Sequence, residues 1–248
     1  MRSRDPAASA PPRPTPGDGV RISPAQRGLL AVSAVLAWAG VVLRIGHDWF
    51  IHPAPGAIEH GLFGPYRAGV VGSLELLADN LSYFTYWSNI ALALVVTSLA
   101  WHPGVRSAWR RSARNTATLM IVLTGVLYVT LIAPTDVVTG PVNVLINTLV
   151  HYVTPALALV VWLVVGPRGW YTWRESLRVY VVPVAYLAYT LARGALTHTY
   201  PYDFFDVARD GYGSVLITMA VILVGAYAVS ALFVVLDRVL SRRRPAPR

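Results

Sequence analysis

Six stretches of the chain stay apolar for the ~20 residues that a helix needs to cross roughly 30 Å of bilayer hydrocarbon at about 1.5 Å per residue. They cover approximately residues 27–47, 81–101, 117–134, 144–167, 179–197 and 215–240. This pattern predicts an all-α polytopic membrane protein with six transmembrane helices. The last stretch is long enough to tilt or to project from the bilayer. The only long connection is 47–80. Within it Leu74, Leu77, Leu81 and Phe84 recur at helical spacing behind Ser73, a candidate N-cap, so either the second helix begins early or an interfacial turn precedes it.

Composition agrees with the pattern: 55% of the 248 residues are hydrophobic and 13% charged, against about 25% charged in soluble domains. All 21 basic residues are arginine, and there is neither lysine nor cysteine. The absence of lysine excludes a retinal Schiff base. The absence of cysteine excludes disulfides, thiolate nucleophiles and Cys-ligated metals. With an even number of spans both termini share one side. Placing them in the cytoplasm puts 17 of the 21 arginines on the inner side and leaves only Arg44, Arg67, Arg193 and Arg209 outside. The positive-inside rule therefore gives N-in, C-in in the cell membrane, and explains the net charge of +9 by topology and anionic lipids rather than by nucleic acid.

Residues 1–26, with six prolines and four arginines, read as a disordered cytoplasmic arm; 27–240 form the transmembrane domain, and 241–248 a basic tail. The first span reads as a signal anchor rather than a cleaved signal. No inverted repeat of the transporter kind is visible.

A polar side chain in hydrocarbon is costly, about 2.5–3.5 kcal/mol for a charge at a helix centre on insertion scales. Polar residues cluster toward the outer end of four spans. The second span carries Thr85, Ser88 and Asn89 on one face. The fourth carries Asn143, Asn147 and His151 four residues apart, with Thr154 continuing the stripe. The fifth carries Tyr186, Tyr189, Thr190, Arg193 and Thr197, and Arg44 stands near the outer end of the first. A shared, partly hydrated cavity accounts for them together. The bland readings are hydroxyls bonded to their own helix, asparagines as interhelical glue and arginines snorkelling to headgroups.

Three segments carry a resemblance: Tyr83-Phe84-Thr85-Tyr86-Trp87-Ser88-Asn89, Asn147-Thr148-Leu149-Val150-His151, and Tyr200-Pro201-Tyr202-Asp203-Phe204-Phe205-Asp206. In this order they resemble marker segments of the androgen-induced protein and androgen-dependent TFPI-regulating protein family. The chain looks closest to its bacterial six-helix branch, which has been related to heliorhodopsins. The resemblance implies six membrane helices and, from the animal members, a threonine hydrolase that splits fatty acid esters of hydroxy fatty acids. Thr85 and His151 match that family's threonine and histidine, with Asn147 one turn earlier. Two departures stand out: Ser88 occupies the place of the animal asparagine, with Asn89 one later, and the fourth-span proline is displaced by one.

Chemically, a hydroxyl becomes a useful nucleophile when a neutral imidazole takes its proton, a role suited to Thr85 and His151. Ser88, Asn89 and Asn147 are candidate oxyanion or orienting donors, and Arg44 and Arg193 candidate partners for a substrate carboxylate. The expected partners are membrane lipids, with a fatty acyl ester as substrate and no cofactor. The alternative is a non-retinal sensor or anionic-lipid carrier related to heliorhodopsins. Proton-coupled transport is disfavoured because Asp48, Asp79, Asp136 and Asp237 lie near helix ends. His47, Asp48, His52, Glu59 and His60 are metal-capable types at no familiar spacing, and no metal is expected. Trp49, Trp87 and Trp101 read as interfacial anchors.

The lack of native cysteine makes topology directly measurable. A single cysteine at Val137 should react with a membrane-impermeant maleimide on intact cells, and one at Gly104 only after permeabilisation. The reverse pattern would invert the assigned orientation.

Overall fold

A computed structural model describes residues 22–51, 53–54, 56, 63–103, 107–166 and 168–242. Most of the expected arm, the tail beyond 242, and His52, Glu59 and His60 lie outside the described residues. Among those described there are seven α-helices and no strand, and six of the helices are long and apolar enough to cross a membrane. These six are α1 (Pro24–Ile51), α3 (Phe84–Trp101), α4 (Ala108–Ile132), α5 (Pro141–Val165), α6 (Trp173–Thr197) and α7 (Val207–Arg242). The shorter α2 (Gly69–Asn80) precedes α3. The chain is an all-α integral membrane protein.

Local chemistry sets the helix ends. α1 opens on a capping box: the Gln26 amide donates to Ser23 Oγ at 3.2 Å and the Ser23 amide donates to Gln26 Oε1 at 2.9 Å. Ser107 caps α4 through the Arg110 amide, Thr172 caps α6 through the Glu175 amide, and Asp206 accepts from the Ala208 and Arg209 amides at the start of α7. The expected early start of the second span takes the form of a separate helix. α2 follows Ala68, not Ser73, which is buried inside it, and a turn at 81–83 separates it from α3. α4 starts at Ala108 rather than 117, so Arg114 lies within a helix, almost fully buried.

Packing centres on α1, α3, α4 and α5. α1 lies along α3, α3 along α4, and α5 wedges against α1 and α4. Two glycines permit the wedge. A Cβ on Gly40 would stand 2.7 Å from Val150 Cγ1, and one on Gly125 would stand 3.0 Å from Pro155 Cβ. α6 makes few close backbone approaches and reaches its neighbours through large aromatics: Tyr186 packs on Phe84 and Trp87, and Tyr189 on Trp87. Trp87 is therefore a packing residue, with its indole N–H given to the Leu81 carbonyl at 3.2 Å, rather than an interfacial anchor. The outward faces are apolar and exposed, as at Val35, Val42, Ile217, Val221 and Val224, which suits contact with lipid.

The end bearing the termini is locked by polar groups. Arg110 donates to the carbonyls of Ser98 and His102 at the end of α3, Glu175 accepts from Ser112 and Arg178, and buried Asp237 accepts the Tyr171 amide at 2.9 Å. These arginines brace helices as well as counting toward topology.

Gly40→Ala should destabilise the detergent-purified protein by about 1–3 kcal/mol through overpacking, read as a lowered melting temperature. Val150→Ala in the same chain should restore part of the loss. Unchanged melting in the single variant would remove the close crossing of α1 and α5.

Candidate functional site

Thr85 is the second residue of α3. The first turn of this helix lacks a side-chain cap from Tyr83. Its opening amide, that of Phe84, instead donates to the buried Tyr186 hydroxyl of α6 at 3.0 Å, and that hydroxyl donates to the Ser82 carbonyl at 3.2 Å. Tyr186 thereby fixes where α3 begins and where Thr85 points.

His151 lies in the middle of a π turn, Leu149–Val153, inside α5. Proline supplies the reason. The Thr154 amide bonds to Leu149 rather than to Val150, and Pro155 has no N–H to offer, so the Val150 carbonyl loses its helical donor. Asn89 fills the gap: its Nδ2 donates to the Val150 carbonyl at 3.3 Å and to the Thr85 carbonyl at 2.8 Å, tying α3 to α5. A second π turn, Tyr128–Ile132, ends α4, closed by the Ala133 amide on the Tyr128 carbonyl and followed by Pro134. The two widened turns bring Tyr128 flat against His151, with ring centroids 3.8 Å apart and planes 8° from parallel.

Between these elements runs a chain of hydrogen bonds whose direction is fixed at one end. Tyr128 Oη donates to Asp136 Oδ2 at 2.9 Å, since a carboxylate oxygen only accepts. The tyrosine oxygen must then accept from Asn147 Nδ2, at 2.7 Å. This orients the amide so that Asn147 Oδ1 faces His151 Nδ1 at 2.6 Å and takes its proton as acceptor. The remaining ring nitrogen, Nε2, carries a lone pair, and it stands 3.0 Å from Thr85 Oγ1. The threonine hydroxyl donates to it.

On its other side Thr85 borders a pocket of about 590 Å³ of empty space, counting its open mouth, between α3, α4, α6 and α7. The pocket is lined by apolar and aromatic side chains together with the hydroxyl-bearing Thr85, Thr124, Tyr128, Tyr186 and Tyr202. Tyr202, in the loop before α7, lines the same pocket as Thr85 and has the Thr85 side chain among its polar neighbours. Burial pushes its phenol up to about 12, so it keeps its proton at neutral pH.

The structure brings Thr85, Asn147 and His151 together and assigns the other sequence candidates elsewhere. Ser88 is no oxyanion donor: its hydroxyl goes to the Thr85 carbonyl at 2.8 Å and accepts from Thr124 at 2.7 Å. Asn89 spends both amide protons on backbone carbonyls. Asn143 accepts from Arg44 at 3.3 Å, and Thr154 is buried and joins none of these bonds. Arg44 and Arg193 do not line the pocket. Arg44 pairs at 2.7 Å with Asp48, one turn on in α1, and Arg193 pairs with Asp79 of α2 while stacking over Phe63 at 4.6 Å. A buried guanidinium needs such a carboxylate, and each of these already has one. Asp48 and Asp79 are thus buried partners rather than solvated helix-end charges, and burial holds the Asp79 carboxyl above its ordinary range against the opposing pull of Arg193.

Tyr128, Asp136, Tyr186 and Tyr202 belong to the site; the sequence reading passes over Tyr128 and names Asp136, Tyr186 and Tyr202 without giving them a role there. The available signal was Pro134 and Pro155, each standing two residues beyond a π turn in an apolar run. No family model, curated protein or solved structure matches the chain. Fold and site therefore define the class: a six-span integral membrane protein with a hydroxyl–imidazole pair beside an apolar pocket.

In ¹⁵N-histidine spectra, with His151→Gln providing the assignment, His151 should be the Nδ1–H tautomer. Tyr128→Phe, which keeps the stacked ring but frees the Asn147 amide, should give a tautomer mixture. A native Nε2–H tautomer would overturn the bond directions.

Proposed function

We propose that this protein is a lipid ester hydrolase acting on fatty acyl esters, with Thr85 as nucleophile and His151 as general base, in the outer half of the cell membrane. The observation that carries the reading is the 3.0 Å contact between Thr85 Oγ1 and a His151 Nε2 whose lone pair is fixed by Asn147. The distance falls inside the range of about 2.6–3.2 Å needed for proton transfer. The resemblance to the androgen-induced protein family, carried by the same two residues, supports it independently.

The chemistry follows from the pair. As Thr85 Oγ1 attacks the ester carbonyl, its proton passes to His151 Nε2, and the imidazolium is held by the Nδ1–H bond to Asn147. The carbonyl oxygen gains negative charge on the pocket side, where the protonated Tyr202 hydroxyl is the donor beside Thr85. Collapse breaks the ester C–O bond, and His151 returns the proton to the departing alkoxide, leaving an acyl-threonine. Water, deprotonated by His151, then releases the fatty acid and restores Thr85. The pocket holds the acyl chain by apolar contact.

With purified protein and a panel of long-chain acyl esters, Thr85→Ala should abolish turnover and His151→Ala should lower it by about 10²–10⁴. Unchanged hydrolysis in both variants would end the assignment. Tight retention of ester without Thr85-dependent product would instead make the same pocket that of a lipid sensor.

A further inference from the structure

The charges around the pocket bear on what enters it. Among the described residues no arginine, aspartate, glutamate or histidine lines it, and its polar side-chain groups are hydroxyls. The two cations nearest in sequence logic, Arg44 and Arg193, are neutralised by Asp48 and Asp79. A carboxylate carried inside would meet no opposite charge in a medium of low dielectric constant, which disfavours the ionised form strongly.

The mouth is apolar too. Leu127, Ile132, Leu187, Ile222 and Leu223 are the half-buried lining residues of α4, α6 and α7, and next to them Val126, Val184 and Val224 are exposed on the outward faces of the same helices. A rim of this kind, on segments that span the membrane, is wetted by lipid chains rather than by water. The sparse backbone contact of α6 with its neighbours keeps the space between them open.

We infer that the ligand of this pocket is a long-chain ester uncharged along its whole length, dissolved in the bilayer hydrocarbon, which reaches Thr85 sideways between α4, α6 and α7. Its cleavage rests on the hydrolase reading; its binding does not. The class comprises esters in which every carboxyl is esterified. An ester that has to carry an ionised carboxylate into the pocket is the disfavoured case.

The test uses a matched pair of probes with the same ester bond: a fatty acid ester of a hydroxy fatty acid with its carboxylate free, and the methyl ester of that compound. Full-length protein in phosphatidylcholine nanodiscs is supplied with each. Thr85→Ala protein should retain the methyl ester in about tenfold or greater excess over the free acid, as the cost of an unpaired charge in hydrocarbon requires. Ile222→Trp, which narrows the rim, should reduce that retention severalfold, whereas Val224→Trp on the adjacent outward face should leave it unchanged. Equal or greater retention of the free acid, or retention of neither probe, overturns the inference. So does an equal loss in both tryptophan variants. Retention of the methyl ester by Thr85→Ala without cleavage by the native chain upholds the inference and removes the hydrolase reading.

Discussion

The site depends on a hydrogen-bond chain with only one consistent direction. Asp136 accepts, so Tyr128 donates to it, Asn147 donates to Tyr128, His151 donates to Asn147, and Thr85 donates to His151. An amide left to itself can present either face, and an imidazole can carry its proton on either nitrogen. A carboxylate two links from the amide and three from the imidazole removes both ambiguities. In the low dielectric of a bundle interior such a chain is stronger than its links would be in water, and leaving a link unmade costs correspondingly more.

The fold serves this chain through local irregularities. Regular helices at α4 and α5 would not stack Tyr128 on His151. The π turns insert the extra residue that turns these side chains toward each other, and each is followed by a proline that cannot restore the regular ladder. The carbonyl orphaned at Val150 is taken by Asn89, and the unpaired amide at the start of α3 by Tyr186. Polar residues that look catalytic by type are thus partly the repair of backbone widened for the site. Gly40 and Gly125 allow the close crossings that hold the widened turn in place.

Charge is handled separately from the reacting pair. The arginines near the end opposite the termini are matched with carboxylates of α1 and α2, away from the pocket, while those at the end bearing the termini brace α3 and α6. The pocket next to Thr85 is left neutral and apolar, a setting of low dielectric constant that strengthens the few hydroxyl contacts within it. This division gives the arginines a structural meaning that their number alone does not reveal.

Six spans and the all-helical class were legible in the chain itself, because hydrophobic length is a local property; the polar stripes carrying Thr85 and His151 were legible too, but their pairing was only what the resemblance implied, since adjacency of the two helices is not local. Asn147 belonged to the same legible stripe. The roles of Ser88, Asn89, Arg44 and Arg193 were not, because a residue's type does not disclose which neighbour will satisfy it. Tyr128 and Asp136 come from α4 and the loop that follows it, and Tyr202 from the loop before α7. Only the tertiary structure could bring them to α3 and α5, since the direction of a proton-bearing chain is decided by the last acceptor in space rather than by any spacing in sequence.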